Sequence, residues 1–170
     1  MDNQERFDPQ ESTSLFPDGR TARLPEAGTV ARGALKQDTA FYLGKNADGS
    51  YLHRGPLAVD MALLKRGQER YNIYCGVCHD RTGGGKGLVV ANYQGFAPPP
   101  SFHEDRIRQM ADGEIFNTIT HGIRTMPSYR YQINEHDRWA IIAYVRALQR
   151  SQQASIADVP EQYRPTLEVK

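Results

Sequence analysis

Cys75-Gly76-Val77-Cys78-His79 is the stretch that decides how this 170-residue chain is read. Its two cysteines are the only ones in the sequence, and C-x-x-C-H is the attachment signature of c-type haem. Two thioethers must meet two vinyl groups on one edge of a rigid macrocycle, and two intervening residues let a single turn of backbone present both sulfurs. The adjoining imidazole can then turn beneath the iron, for which it is a good ligand. Cys75 and Cys78 are expected as the thioether residues and His79 as an axial ligand. A structural zinc site takes four protein ligands, commonly from paired cysteine motifs, and no second pair exists. A thioredoxin-type pair sits at a strand-to-helix junction, whereas the residues before Cys75 read as helix and no βαβ pattern surrounds them. A disulfide between the two would leave His79 without a role.

An electron-carrying haem usually has a second axial ligand, and a His/Met pair raises its potential. The methionines are Met1, Met61, Met110 and Met126. Met1 is terminal, Met61 lies just before the presumed attachment helix, and Met110 falls in a short helical stretch, Asp105 to Ala111. Met126 sits in His121-Gly122-Ile123-Arg124-Thr125-Met126-Pro127-Ser128-Tyr129, between two helical patterns. A loop can carry a soft sulfur across a haem face, and Pro127 stiffens it. Met126 is therefore the expected distal ligand, and a gap-filling core methionine is the bland alternative. His121 is the rival, and bis-histidine ligation would lower the potential. His53, His103 and His136 have polar neighbours and read as surface residues.

The net charge of +1 gives no case for a nucleic-acid partner. Hydrophobic content is 39 %, so part of the chain is expected outside a core. No stretch approaches the ~20 apolar residues of a membrane span. Met1 to Gln10 is polar and acidic, unlike a signal peptide. Because haem is attached to such motifs outside the bacterial cytoplasm, the chain is expected to be a processed form whose export signal, and any anchor, has been removed.

Three regions are expected. Residues 1–59 carry scattered Pro, Gly and charge and read as an extended arm with turns. Residues 60–150 hold the haem motif and the helical patterns, and residues 151–170 form a polar tail. A first helix is predicted from an Asp60 N-cap to Tyr74, with Leu63, Leu64, Gly67, Tyr71 and Tyr74 near one face. A last helix begins at Asn134, where Asn134 and Asp137 resemble a capping box, and repeats Ile141, Tyr144, Val145 and Leu148 at helical spacing. A third covers Gly113 to Thr120 with Asp112 as its cap. Gly67 is expected to admit an aromatic from the last helix. Trp139 and several tyrosines are candidates to line the macrocycle, with Tyr71 and Tyr144 read as core packing. The run Gly83-Gly84-Gly85-Lys86-Gly87 does not match a phosphate loop and is expected to be a flexible turn leading away from His79.

The order of C-x-x-C-H, glycine-rich loop, Pro-containing loop, Met loop and C-terminal aromatic helix resembles class I cytochrome c. Gly67 and Tyr71 match that family's glycine-plus-aromatic pattern, Ile141 and Tyr144 its partners on the last helix, and Gly83, Gly85 and Gly87 its alternating glycines. The resemblance implies an all-α fold: a small helical domain around one covalent haem c, here with a long irregular N-terminal arm. Pro100-Ser101-Phe102 resembles the family's Pro-x-Leu segment, with Phe in place of Leu. This implies that the Pro100 carbonyl accepts a hydrogen bond from His79, orienting it.

A narrower resemblance rests on Phe16-Pro17-Asp18-Gly19-Arg20, Gly28-Thr29-Val30-Ala31-Arg32-Gly33, the Arg124 to Tyr129 loop and Asp137-Arg138-Trp139-Ala140. These are similar to the monohaem cytochrome c subunit of bacterial alternative complex III, a quinol–electron-acceptor oxidoreductase. It implies a one-electron carrier, not itself an enzyme, on the periplasmic side of the inner membrane. Its partners would be other subunits of a membrane redox complex, with a cytochrome or terminal oxidase as electron acceptor. Membrane contact would come through partners or a removed lipid anchor, since the family's lipidated N-terminal cysteine is missing here. The arm would then dock on neighbouring subunits, the alternative being a plain linker. Competing readings are a soluble periplasmic shuttle, a haem subunit of another dehydrogenase, or an enzyme or ligand sensor with an open sixth iron position.

Overall fold

A computed structural model describes residues 4–93, 95 and 97–166. The chain divides into two compact units, 1–36 and 37–170. Among the described residues the ordered elements are helical, with only isolated bridges of extended backbone.

In the second unit, α1 (Thr39–Leu43) is capped by the Asp38 side chain, which accepts from Phe41 N, and ends at left-handed Gly44. α2 (Met61–Tyr74) begins at the expected N-cap, Asp60, whose carboxylate accepts from Leu63 N. Two short helices, α3 (Gly76–His79) and α4 (Leu88–Asn92), follow, then α5 (Asp105–Arg108). α6 (Asp112–His121) starts one residue earlier than expected, with Ala111 as N-cap. Asp112 does not cap it because its carboxylate is taken by Gly55 N at 2.8 Å and Arg146 Nε at 2.7 Å. α7 (Glu135–Ser151) is capped by Asn134, which accepts from Asp137 N. The tail beyond α7 forms two 3-10 turns, Ile156–Asp158 and Glu161–Thr166.

The core is made where α2 crosses α7. It gathers Tyr71, Phe116, Ile119, Ile133, Trp139, Ile141, Ile142 and Val145. At the crossing, a Cβ on Gly67 would lie 2.0 Å from the Ala140 carbonyl oxygen and 3.0 Å from the Tyr144 Cβ. The glycine thus admits the α7 backbone itself, with the aromatic beside it. An ion pair clamps the same crossing: Arg66 Nε and Nη2 donate to the two Asp137 oxygens at 2.7 and 2.8 Å.

The expected boundary near residue 59 differs from the observed division after Lys36. Residues 37–59 pack on the helical core. Trp139 Nε1 donates to the Phe41 carbonyl at 2.8 Å, and Phe41, Leu52 and Leu57 lie against the core side chains. Gly44 and Gly113 meet so closely that a Cβ on Gly113 would lie 2.0 Å from the Gly44 oxygen. The first unit is held by local contacts. Phe16-Pro17-Asp18-Gly19-Arg20 forms a turn closed by Thr13 N to Gly19 O at 3.0 Å. The Asp18 carboxylate accepts from Arg20 N and Arg23, whose guanidinium lies 4.1 Å from the centre of the Phe16 ring.

Two outcomes follow for stability. Gly67→Ala forces the helices apart and is expected to cost about 3 kcal/mol in denaturant unfolding, the upper end for overpacking. The Arg66 hydrogen bonds hold the Asp137 carboxyl below the usual carboxylate range, against the opposing effect of burial, with Arg70 and His136 adding to the shift. Its unfolded value, about 4, is the higher one. The contribution is therefore complete above that pH and lost as pH falls through the folded value beneath it. Thermal unfolding from pH 7 to pH 2 should show Asp137→Asn less stable at neutral pH and converging on the wild type in acid.

Candidate haem-binding site

α2 delivers the motif. Cys75 closes α2 with its amide on the Tyr71 carbonyl at 2.8 Å and opens α3, accepting from Cys78 N at 3.1 Å and His79 N at 2.9 Å. Cys75, Cys78 and His79 thus occupy one tight turn at the end of α2, whose crossing with α7 sets the core. Both thiols are free. Burial, then the neighbouring Cys78, pushes the Cys75 thiol up to about 12. Burial lowers His79 to about 4, against the pull of Asp80, so its imidazole is neutral at physiological pH with a lone pair available for a metal.

The glycine loop does not lead away from His79; it folds back onto it. Gly85 N donates to His79 O and Gly87 N to Cys78 O, each at 3.0 Å. A Cβ on Gly87 would lie 2.4 Å from the Val77 oxygen, and one on Gly85, at φ +82°, 2.3 Å from the Pro99 oxygen. The Asp80 carboxylate organises the loop, accepting from the Thr82 amide and hydroxyl and from Lys86 N. Those hydrogen bonds outweigh its desolvation and hold it down at about 2. Tyr71, fully buried, donates its hydroxyl to the Asp80 carbonyl at 2.7 Å. The requirement is close backbone approach, which alternating glycines meet.

The expected hydrogen bond from His79 to the Pro100 carbonyl is not formed: His79 Nδ1 is buried and has no partner. The imidazole is flanked instead by the Phe102 ring, stacked at 4.5 Å and 16°. Phe102 is fixed from two sides, its amide on the Gly83 carbonyl and its own carbonyl on Gln149 of α7, both at 2.8 Å. The departure from Leu at this position is visible in the sequence, whereas the stacking it permits depends on where the fold brings Phe102.

Met126 is half-buried and packs against the core cluster, while Met61 and His121 are exposed. Met110 lends its backbone carbonyl to Arg146. Met1 lies outside the described residues. Tyr129, three positions after Met126, is a site residue that no sequence motif marks. Burial raises its phenol, and Cys75 and Cys78 raise it further, so it lies near both thiols. Its ring meets Tyr74 edge-on at 6.5 Å. Trp139, a candidate lining residue, stacks on Phe116 at 4.3 Å.

These residues fit a covalent haem c. Two free thiols and a neutral imidazole supply the attachment donors. Tyr74, Phe102, Met126 and Tyr129 keep partly exposed apolar surface, complementary to a flat apolar macrocycle. Among the described residues no group of three or more His, Cys, Asp or Glu side chains is placed to hold a metal ion, so the ligand set of a structural zinc site is not assembled. Gly87→Ala pushes on the Val77–Cys78 backbone. It is expected to lower the yield of covalently loaded protein, measured by the pyridine haemochrome spectrum of the denatured chain.

Residues 62–145 match the family model described as Cytochrome C oxidase, cbb3-type, subunit III. Among solved structures, a chain of the Kuenenia stuttgartiensis reducing HAO-like protein complex is similar at 23 % identity and a TM-score of 0.47. The match covers 55 % of this chain and 46 % of that one, so this chain spans under half the length of that structure. No curated protein matches the chain. The matched residues contain the crossing of α2 and α7, the attachment turn and the Met126 loop, and a cytochrome c domain implies covalent haem c and haem-based electron transfer. Residues 62–145 thus form a cytochrome c domain similar to the cbb3 type.

Proposed function

We propose that this chain is a one-electron relay holding a single haem c. In this reading it works as a subunit of a membrane-associated quinol–electron-acceptor oxidoreductase of the alternative complex III kind, on the periplasmic side of the bacterial inner membrane. The observation that carries the haem assignment is the turn Cys75–His79, with both thiols free and a buried, neutral imidazole beside them. The chain has one such motif, hence one haem. Cys75 and Cys78 would hold the haem edge, His79 would ligate the iron from one side and Met126 from the other. A haem c so held supplies reversible one-electron exchange between ferric and ferrous iron. The chain's own residues fix geometry: Phe102 limits rotation of the His79 ring, the Asp80 loop locks the backbone behind it, and Tyr74 and Tyr129 keep water from the thioether side. No residue needs to move a proton.

Complex membership rests on the first unit. Phe7, Leu15, Phe16, Leu24, Val30 and Leu35 are exposed there, more apolar surface than a plain tether needs. The turn around Asp18 coincides with the segment that resembles the complex III subunit. This unit would dock on neighbouring subunits. Electrons would arrive from another redox subunit and leave to a cytochrome or terminal oxidase, and membrane contact would come through partners or a lipid anchor. Among the described residues no helix is long and apolar enough to cross a membrane.

Residues 37–59 belong to the packed core, so a deletion that tests docking stops at Lys36. The chain without residues 1–36 should keep its haem spectrum but no longer co-purify with the membrane complex. Undiminished association would sink the docking role, leaving a shuttle or another dehydrogenase's haem subunit. For the distal ligand, Met126→Ala should abolish the sulfur-to-iron absorption band and open the reduced protein to carbon monoxide at neutral pH. Rapid stoichiometric binding by the wild type would instead indicate an open sixth position.

A further inference from the structure

Arg138 is 3 % exposed, and burying a guanidinium is costly unless each nitrogen finds a partner. Its partners come from three places. Glu135 lies 3.3 Å from one terminal nitrogen, Thr120 Oγ1 accepts from the other, and the Phe116 ring lies with its centre 4.7 Å from the guanidinium carbon. Its Nε is buried with no partner. An apolar side chain of similar volume would fill this position without that penalty, so core stability alone does not account for an arginine here.

What the arginine holds is the last turn of α6. The Thr120 hydroxyl donates to the Phe116 carbonyl at 2.7 Å, leaving its lone pair for Arg138. The Thr120 carbonyl in turn accepts from Ser128 Oγ at 2.6 Å. Ser128 stands two positions after Met126. The rest of the loop is folded back onto the same helix end. Ile123 and Met126 exchange backbone hydrogen bonds at 3.0 and 2.9 Å, and Tyr129 N donates to Ile119 O at 3.0 Å. Gly122, at φ +76°, lies so close beneath the loop that a Cβ would sit 2.5 Å from the Met126 oxygen. The Ser128 and Tyr129 bonds tie the loop to α6, and the Ile123–Met126 pair closes the loop on itself. The Arg138–Thr120 contact ties that end of α6 to α7.

We infer that Arg138 is a positioning residue for Met126: the chain Arg138–Thr120–Ser128 anchors the Met126 loop to α7 and so keeps the sixth iron position closed. This rests on Met126 as the distal ligand. A thioether is a neutral, weak ligand, so its occupancy depends on how firmly the loop returns the sulfur to the iron after each dissociation. Loosening the anchor lets an external ligand compete without changing any donor atom.

The test uses the haem-loaded full chain with Ser128→Ala and Thr120→Val, singly and together, and carbon monoxide as the probe of the reduced protein. Ser128→Ala removes the hydrogen bond to the Thr120 carbonyl and the one accepted from Arg130 N, and Thr120→Val removes the bond to Phe116 and the one accepted from Arg138. Each variant should raise the apparent carbon monoxide affinity about fivefold, with a weakened sulfur-to-iron band in the ferric state. Because both changes cut the same chain, the double variant should exceed either single by less than their product. Ile142→Val, a core change away from the loop, should lower the melting temperature while leaving carbon monoxide affinity as in the wild type. Should Ser128→Ala and Thr120→Val only lower the melting temperature, with affinity and band unchanged, the anchoring role is overturned while Met126 ligation stands. Retention of the band in Met126→Ala would overturn the ligand assignment itself, and the anchor with it. Ser128→Ala leaves the Arg138–Thr120 contact intact, so a folding defect in Thr120→Val does not remove the test.

Discussion

The close crossing of α2 and α7 at Gly67 is the constraint on which the rest depends. Replacing hydrogen by any larger group there would put a carbon on top of the Ala140 carbonyl. With the helices in contact, Arg66 reaches both oxygens of Asp137, and Tyr71, one turn further along, is sealed against Tyr144 and Phe102. Tyr71 then pins the backbone just beyond His79, and Cys75 falls on the next turn. α7 contributes again through Gln149, which holds Phe102 against the His79 ring. The orientation of the His79 imidazole thus traces back, through two routes, to one absent side chain.

Much of this was legible in the sequence, for identifiable reasons. The long helices carry apolar residues at helical spacing and begin on side chains that cap them, so Asp60 and Asn134 mark their starts correctly. The attachment motif is local, so no tertiary information is needed to read it. What failed depends on contacts between distant segments. Asp112 has the right chemistry for a cap, yet Gly55 and Arg146 compete for its carboxylate and win. The glycine run reads as a flexible turn because nothing in its composition says that Val77, Cys78 and Pro99 press against it. The Pro100 contact was transferred from a family pattern that carries Leu where this chain has Phe102, and in this chain Phe102 stacks on the imidazole instead.

Residues 37–59 show the same limit at larger scale. Turn residues and sparse apolar positions give them no periodicity, so they read as part of an arm. Their attachment comes from single contacts that only the fold creates: the Phe41 carbonyl on the Trp139 indole, Gly44 against Gly113, Gly55 on Asp112. Short α1 has too few residues to be stable alone and persists because its cap and these contacts hold it. In the unit before Gln37, Phe7, Leu15, Phe16, Leu24, Val30 and Leu35 are exposed.

The burial of Cys75 also bears on the order of events during biogenesis. Arg66 and Asp137, which clamp the crossing, are 71 residues apart in sequence. In the unfolded chain this clamp is not made, so both thiols are open before α7 closes the core beside them. Once the fold is complete, the Cys75 thiol is held up at about 12 and yields almost no thiolate at neutral pH. The state in which the last helix has not yet docked is thus the one in which both sulfurs are most open to derivatisation. Docking of α7 then acts as a latch over the turn.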